Sequence, residues 1–195
     1  MKKFGLAVFA SGNGSNAEEI MRYFRDHPSI AVKVVLSNNP TAGVLARAER
    51  FNIPAVVFNR AELADQSRIL DVLARSYVTH VVLAGFLWLV PGYLIDAYPN
   101  RIVNIHPALL PAYGGKGMYG MKVHEAVRSA GDLETGITVH LVNDQYDEGR
   151  ILFQTRCNVD AGCTAEDIAR KVHALEHAHY PAVIEKWVLE NDDKR

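Results

Sequence analysis

The stretch Phe4-Gly5-Leu6-Ala7-Val8-Phe9-Ala10-Ser11-Gly12-Asn13-Gly14-Ser15-Asn16-Ala17 decides the fold. Its first half, up to Ala10, is almost wholly apolar, as a parallel strand buried on both faces is. A glycine-rich turn follows, and Ser15 and Glu18 have the spacing of a capping box. Ile20, Met21 and Phe24 then recur at helical intervals. Strand, glycine turn and helix in that order open a βαβ unit.

Working outward, residues 32–36 form a second β-branched run, closed by Asn38-Asn39-Pro40. Val44, Leu45 and Ala48 mark a short helix, residues 54–58 another apolar run, and residues 69–73 part of an amphipathic helix. Residues 78–84 and 102–105 read as two more buried strands. Strands alternating with helices predict a doubly wound parallel sheet. Beyond them the pattern changes. Gly136-Ile137-Thr138-Val139-His140-Leu141 alternates apolar with polar, which predicts a strand with one solvated or site-facing side. Residues 151–154, after Asp147-Glu148-Gly149, suit an antiparallel partner. Thr164 then opens a long final helix carrying Ile168, Val172, Leu175 and, past Pro181, Ile184 and Trp187. The expected fold is α/β: a Rossmann-like doubly wound, mostly parallel sheet with a C-terminal antiparallel strand pair and a long final helix, as a single domain over residues 1–195.

Composition narrows the function classes. With 49% hydrophobic and 22% charged residues over 195 positions, the chain has the make-up of one globular domain with a sizeable core. Lys and Arg number 21 against 22 Asp and Glu, so the basic excess of a phosphate-gripping nucleic-acid binder is missing. The N-terminus has no signal-peptide pattern, and no apolar run approaches the ~18 residues of a membrane span. Cys157 and Cys163 match no zinc spacing and form no disulfide framework. The expectation is a cytoplasmic protein with reduced thiols and neither membrane nor nucleic-acid partner.

Two segments carry chemistry. Gly12-Asn13-Gly14-Ser15-Asn16-Ala17 satisfies G-x-G-x-x-A between a strand and a helix, where backbone N–H groups and the helix dipole favour an anion. A dinucleotide site also wants a carboxylate at the end of the second strand, and Leu36-Ser37-Asn38-Asn39 offers none. The turn therefore reads as a phosphate binder rather than a nicotinamide dinucleotide site. Val103-Asn104-Ile105-His106-Pro107 places two polar side chains on one side of a strand at its carboxyl end, where open α/β sheets bind ligands. Asn104 is suited to donate to an oxyanion and His106 to move a proton. A carboxylate is needed to orient the imidazole and raise its pKa, and Asp144 and Asp147 are both candidates.

Ser11-Gly12-Asn13-Gly14-Ser15-Asn16, Leu83-Ala84-Gly85-Phe86, Asn104-Ile105-His106-Pro107-Ala108-Leu109-Leu110-Pro111 and Thr135-Gly136-Ile137-Thr138-Val139-His140, with Glu176-His177 before Tyr180-Pro181, resemble the phosphoribosylglycinamide formyltransferase family of purine biosynthesis. The resemblance runs over essentially the whole chain. It implies formyl transfer from 10-formyltetrahydrofolate, a co-substrate, to the amino group of glycinamide ribonucleotide, with no metal, by a monomer or homodimer. Gly14, Ser15 and Asn16 would hold the 5′-phosphate. Asn104 and His106 would be catalytic, with Asp147 the carboxylate that raises the histidine pKa. Leu87, Trp88, Leu89 and Val90 would line the folate pocket with Asn104 and with Asn143, Asp144, Gln145, Tyr146 and Asp147. His173, Ala174, Leu175 and Glu176 would contact the glycinamide side.

Two departures from the family pattern stand out. The family's folate-contacting arginine falls near Glu62, leaving Arg60 as the candidate substitute. The segment Gly114-Gly115-Lys116-Gly117-Met118-Tyr119-Gly120 is longer and richer in glycine than the common form, a flap from which Lys116 would reach a phosphate or a glutamate tail. For His140 a role behind the catalytic pair and simple strand packing weigh equally. By position alone His124, His173, His177 and His179 read as ordinary helix histidines, solvated or half-buried. The rival readings are another 10-formyltetrahydrofolate enzyme, such as the hydrolase or methionyl-tRNA formyltransferase, and a non-catalytic nucleotide-binding domain. The last leaves Asn104, His106 and Asp147 without a task.

Overall fold

The computed structural model describes residues 3–190. In chain order the elements are β1 (Phe4–Phe9), α1 (Ser15–Phe24), β2 (Ile30–Ser37), α2 (Gly43–Arg50), β3 (Ala55–Val57), α3 (Arg60–Ala64), α4 (Gln66–Arg75), β4 (His80–Leu83), α5 (Gly92–Ala97), β5 (Ile102–His106), α6 (Met121–Ala130), β6 (Glu134–Leu141), β7 (Ile151–Asn158) and α7 (Ala165–Glu190). One seven-stranded sheet runs β3-β2-β1-β4-β5-β6-β7. The pairs from β3 through β5 are parallel. The β5–β6 and β6–β7 pairs are antiparallel. The sheet is thus the mostly parallel, doubly wound one expected, with the antiparallel pair and long helix at its C-terminal end.

Both faces are covered, which is why β1 shows no polar alternation. Leu6, Val8 and Ala10 point into a core shared with α1, α2 and α7, whereas Ala7 and Phe9 enter a second core shared with α3, α4 and α5. Strand order reverses between β1 and β4, so the crevice at their carboxyl ends is where this fold class binds ligands. Ser11 N–H donates to the Gly85 carbonyl at 3.0 Å there, and Leu87 N–H donates to Ser11 Oγ at 3.1 Å, fastening the two strand exits together.

Two local expectations are corrected and a third is narrowed. Ser15 and Glu18 form no capping box: the N-cap of α1 is Gly14, in the left-handed region at φ 78°, with no side-chain cap. A Cβ on Gly14 would stand 2.5 Å from Val44 Cβ, so α2 packs too close for any side chain there. Glu18 instead holds Arg22, Arg47 and Arg50. Capping boxes do form at Asn59 with Glu62 and at Thr164 with Asp167. The polar side of β6, expected to be either solvated or site-facing, is not solvated, and His140 on it faces the site described below. Thr138 is wholly buried and His140 is 2% exposed. Thr138 Oγ1 donates to the Ala108 carbonyl at 2.7 Å and accepts from Leu110 N–H and Gln154 Nε2–H, so its hydroxyl is satisfied inside the protein. Finally, β7 reaches Asn158, four residues past the expected end, and pairs with β6 from Glu134 to His140. Gly149 permits the approach, since a Cβ there would lie 1.7 Å from the Leu141 carbonyl oxygen.

Candidate active site

A cavity of about 440 Å³ opens at the carboxyl ends of β1, β4 and β5. Its apolar lining includes Phe86 to Val90 and Val142, and its polar lining includes Asn16, Asn104, His106, His124, His140, His173 and Glu176. The polar lining begins with register. Asn104 lies opposite His140 in the β5–β6 ladder and His106 opposite Thr138, so alternation puts Asn104, His106 and His140 on one face.

Asp147 joins these side chains. It sits in the loop between β6 and β7 at φ 60°, a left-handed conformation that Asp tolerates better than most residues. Its carboxylate lies 3.4 Å from His106 Nδ1, 3.5 Å from His140 Nε2 and 3.5 Å from Asn104 Nδ2, and accepts from Gly115 N–H at 2.9 Å. Asn104 Nδ2 also faces His140 Nε2 at 3.1 Å, and His140 Nδ1–H donates to the Leu141 carbonyl at 2.8 Å. His106 Nε2–H donates to the Tyr113 carbonyl at 2.8 Å. Of the two candidate carboxylates, then, Asp147 meets the histidine and Asp144 is exposed outside the cavity wall.

The electrostatics correct one expectation. Burial drives the His106 pKa down, and this outweighs the Asp147 charge and the Tyr113 carbonyl, which push it up. The net direction is below the ordinary histidine value, not above it. Asp147 feels the same burial, which would raise its pKa, yet the His140 hydrogen bond, the His106 charge and the Gly115 N–H together hold it below the usual carboxylate range.

The glycine turn is tied to the far end of the chain. Ser15 Oγ lies 2.9 Å from His173 Nε2, Asn16 Nδ2–H donates to Glu176 Oε2 at 2.9 Å, and His173 Nδ1 meets the same oxygen at 3.1 Å. That Glu176 contact raises the His173 pKa. Arg47 holds the turn from the other side, donating from Nε to the Asn13 carbonyl at 2.7 Å and from Nη2 to Asn13 Oδ1 at 3.0 Å. Asn16 lines the cavity, whereas Gly14 and Ser15 stand behind it. Helical period separates the last group: His173 and Glu176 face the cavity, Ala174 is exposed, and Leu175 packs against the core.

Leu87, Trp88, Leu89 and Val90 all line the cavity, as do Asn143, Gln145 and Tyr146. The Arg60 guanidinium is not on the wall; it stacks 4.4 Å from the Trp88 ring centroid and so braces a residue that is. Lys116 is on the wall, within the glycine-rich segment 115–120. The sequence reading missed His124, which is buried rather than half-solvated, and Arg47, which touches the turn from 34 residues away. Neither shows a local signal, since both act through tertiary packing.

A sequence model described as "Formyl transferase" matches residues 4–184. The chain belongs to the formyl transferase family. Within this family it is 38% identical to the phosphoribosylglycinamide formyltransferase of Bacillus subtilis, over 95% of this chain and 94% of the relative. It is 45% identical to the chloroplastic enzyme of that name from Arabidopsis thaliana, over 92% of this chain. The chain spans 63% of that plant relative's length and 59% of a second one from Vigna unguiculata. Among solved structures, phosphoribosylglycinamide formyltransferase from Brucella melitensis superposes with a TM-score of 0.85 at 36% identity, covering 95% of this chain and 96% of that one. The α/β sheet is therefore architecture shared with these relatives, and among the described residues no helix is long and apolar enough to cross a membrane.

Proposed function

We propose that this chain moves the formyl group of 10-formyltetrahydrofolate to the amino group of glycinamide ribonucleotide, in the cytoplasm, without a metal. The observation that carries the reading is the convergence of Asn104, His106 and His140 on the Asp147 carboxylate, beside a cavity with both apolar and polar lining. The relatives of matching length that bear the phosphoribosylglycinamide formyltransferase name support it.

The residues divide the work by chemistry. The first N–H groups of α1, at Ser15 and Asn16 behind Gly14, have no intrahelical acceptor and suit a 5′-phosphate. Glu176 and His173 suit the N–H donors of the glycinamide. The wall of Leu87, Trp88, Leu89 and Val90 suits a flat pterin, with the Asn143, Gln145 and Tyr146 loop at its edge, and Lys116 suits an anionic tail. The folate supplies an activated formyl carbon. At that carbon the Asn104 amide stabilises the oxyanion, a role worth roughly 2.7–4 kcal/mol per donor in comparable sites. His106, neutral because it is buried, takes the proton that the attacking amine sheds, and Asp147 stabilises the imidazolium while it lasts. The proton then passes to the departing folate nitrogen. The amine is itself the nucleophile, so neither Cys157 nor Cys163 is needed.

A steady-state assay with 10-formyltetrahydrofolate tests this against the alternatives. The expected result is formylation of glycinamide ribonucleotide, with far slower formate release in its absence and no transfer to methionyl-tRNA. Formate release independent of the amine would make the protein a hydrolase, and transfer to tRNA would overturn the substrate assignment.

A further inference from the structure

Four imidazoles line the cavity, and three of them have partners within the protein. His106 donates from Nε2 to the Tyr113 carbonyl and has Nδ1 3.4 Å from the Asp147 carboxylate, ready to be stabilised once protonated. His140 uses Nδ1 on the Leu141 carbonyl and Nε2 on Asn104. His173 is held by Ser15 and Glu176. His124, on α6, is different: it is 5% exposed, yet Nδ1 is shut off from solvent with no partner, and among the described residues none hydrogen-bonds the ring.

A buried polar nitrogen without a partner is costly, and native folds rarely keep one idle. An imidazole bonded at one nitrogen has a fixed tautomer; the His124 ring lines the cavity with no such bond, so it is free to accept or donate. Burial drives its pKa below the ordinary value, against the pull of the Glu176 carboxylate and with the push of His173 and His106. The ring is therefore neutral near neutral pH, and it lines the same cavity as Glu176 and His106, close enough to feel the charge of both.

We propose that His124 is a substrate-binding residue: its imidazole accepts a hydrogen bond from an N–H of an amine-bearing neutral amide held by Glu176, and so turns the amine lone pair toward the formyl carbon. The proposal deepens the formyl-transfer reading and rests on it for the identity of that amide. It gives the site a means of choosing an uncharged aminoacyl amide over an amino acid, because a carboxylate would meet Glu176 and a hydrogen-bond acceptor where it needs donors.

Two variants test it. His124→Leu removes both nitrogens at similar volume, and His124→Gln restores a polar atom near the position of Nε2. For His124→Leu, kcat/KM toward glycinamide ribonucleotide should fall by roughly tenfold or more, since a buried substrate N–H loses its acceptor. His124→Gln should recover part of that loss. The KM for 10-formyltetrahydrofolate should stay within about twofold, and Tm should hold or rise, because the orphaned nitrogen is gone. A structural role predicts the reverse: lower Tm, and both substrates affected alike. Calorimetric titration of glycinamide ribonucleotide into wild type and His124→Leu gives a second measure, with weaker binding expected in the variant. Activity and affinity of His124→Leu within twofold of wild type would overturn the proposal. Absence of turnover by the wild type would instead sink the formyl-transfer reading, and the titration alone would then judge His124: equal affinities, or binding by neither protein, would overturn it.

Discussion

His106 stands between opposed influences, burial lowering its pKa and Asp147 raising it, and substitution separates them. Asp147→Asn keeps the shape and removes the charge, so the His106 pKa should drop further and the activity limb that reports it should move to lower pH. Asp144→Asn, in the same loop but exposed, should leave that titration in place. NMR titration of His106 in both variants checks this; a shift from Asp144→Asn alone would contradict the geometry. Asn104→Ala and His106→Ala should each lower kcat a hundredfold or more, on the order of 3 kcal/mol, with ribonucleotide binding nearly intact. Steady-state kinetics alongside Tm would decide the matter, since an equal loss of stability and activity would make these residues structural. The types and spacing of Asn104 and His106 were legible in the chain. The choice of Asp147 over Asp144 came from the family resemblance and not from spacing, because it depends on the left-handed backbone that aims Asp147 inward. The direction of the His106 shift was also hidden, since a linear sequence displays the neighbouring carboxylate but not the depth of burial.

The strand-turn-helix opening was read correctly as a unit, and its failure in detail is instructive. Ser15 and Glu18 have capping-box spacing, but Gly14 takes the cap position because α2 lies against it and the Ser15 hydroxyl meets His173 instead. Gly14→Ala should therefore cost on the order of 1–3 kcal/mol from left-handed strain alone, with the clash against Val44 added to it. Chemical denaturation measures the loss, and the KM for the ribonucleotide should rise while the folate KM is little changed. A stability equal to wild type would mean that the turn is not confined by α2. The alternation in β6 was likewise real, but its polar side chains face a buried network rather than water. Periodicity tells which residues share a face and leaves open what that face meets.

Taken together, the histidines set how the molecule responds to acid. His106, His124 and His177 have folded pKa values lowered by burial, whereas His173 has one raised by Glu176. For the three lowered ones, the unfolded chain takes up protons first as pH falls below about 6.5, so stability is lost from there down to their folded values. The His173 contact works oppositely and is fully present below that pH. Asp147 contributes stability above about 3.9 and loses it as pH falls through its lower folded pKa. The net expectation is a Tm that declines between pH 7 and pH 5; thermal melts across that range check it, and a rising Tm would show the His173 contact dominating. The parallel sheet, its antiparallel extension and the last helix were all legible, because burial on two faces leaves continuous apolar runs.

The bonds that fasten Ser15 to His173 and Asn16 to Glu176 join positions 158 and 160 residues apart. On a ribosome that distance is time. At roughly 5–20 residues per second, the glycine turn emerges and waits about ten seconds or longer for the helix that completes it. Throughout that interval the nascent chain has its first strand and no finished binding site. Competence for the amine substrate is thus acquired only once Glu176 has been made, and a ribosome stalled before it holds a chain that cannot yet compete for that substrate.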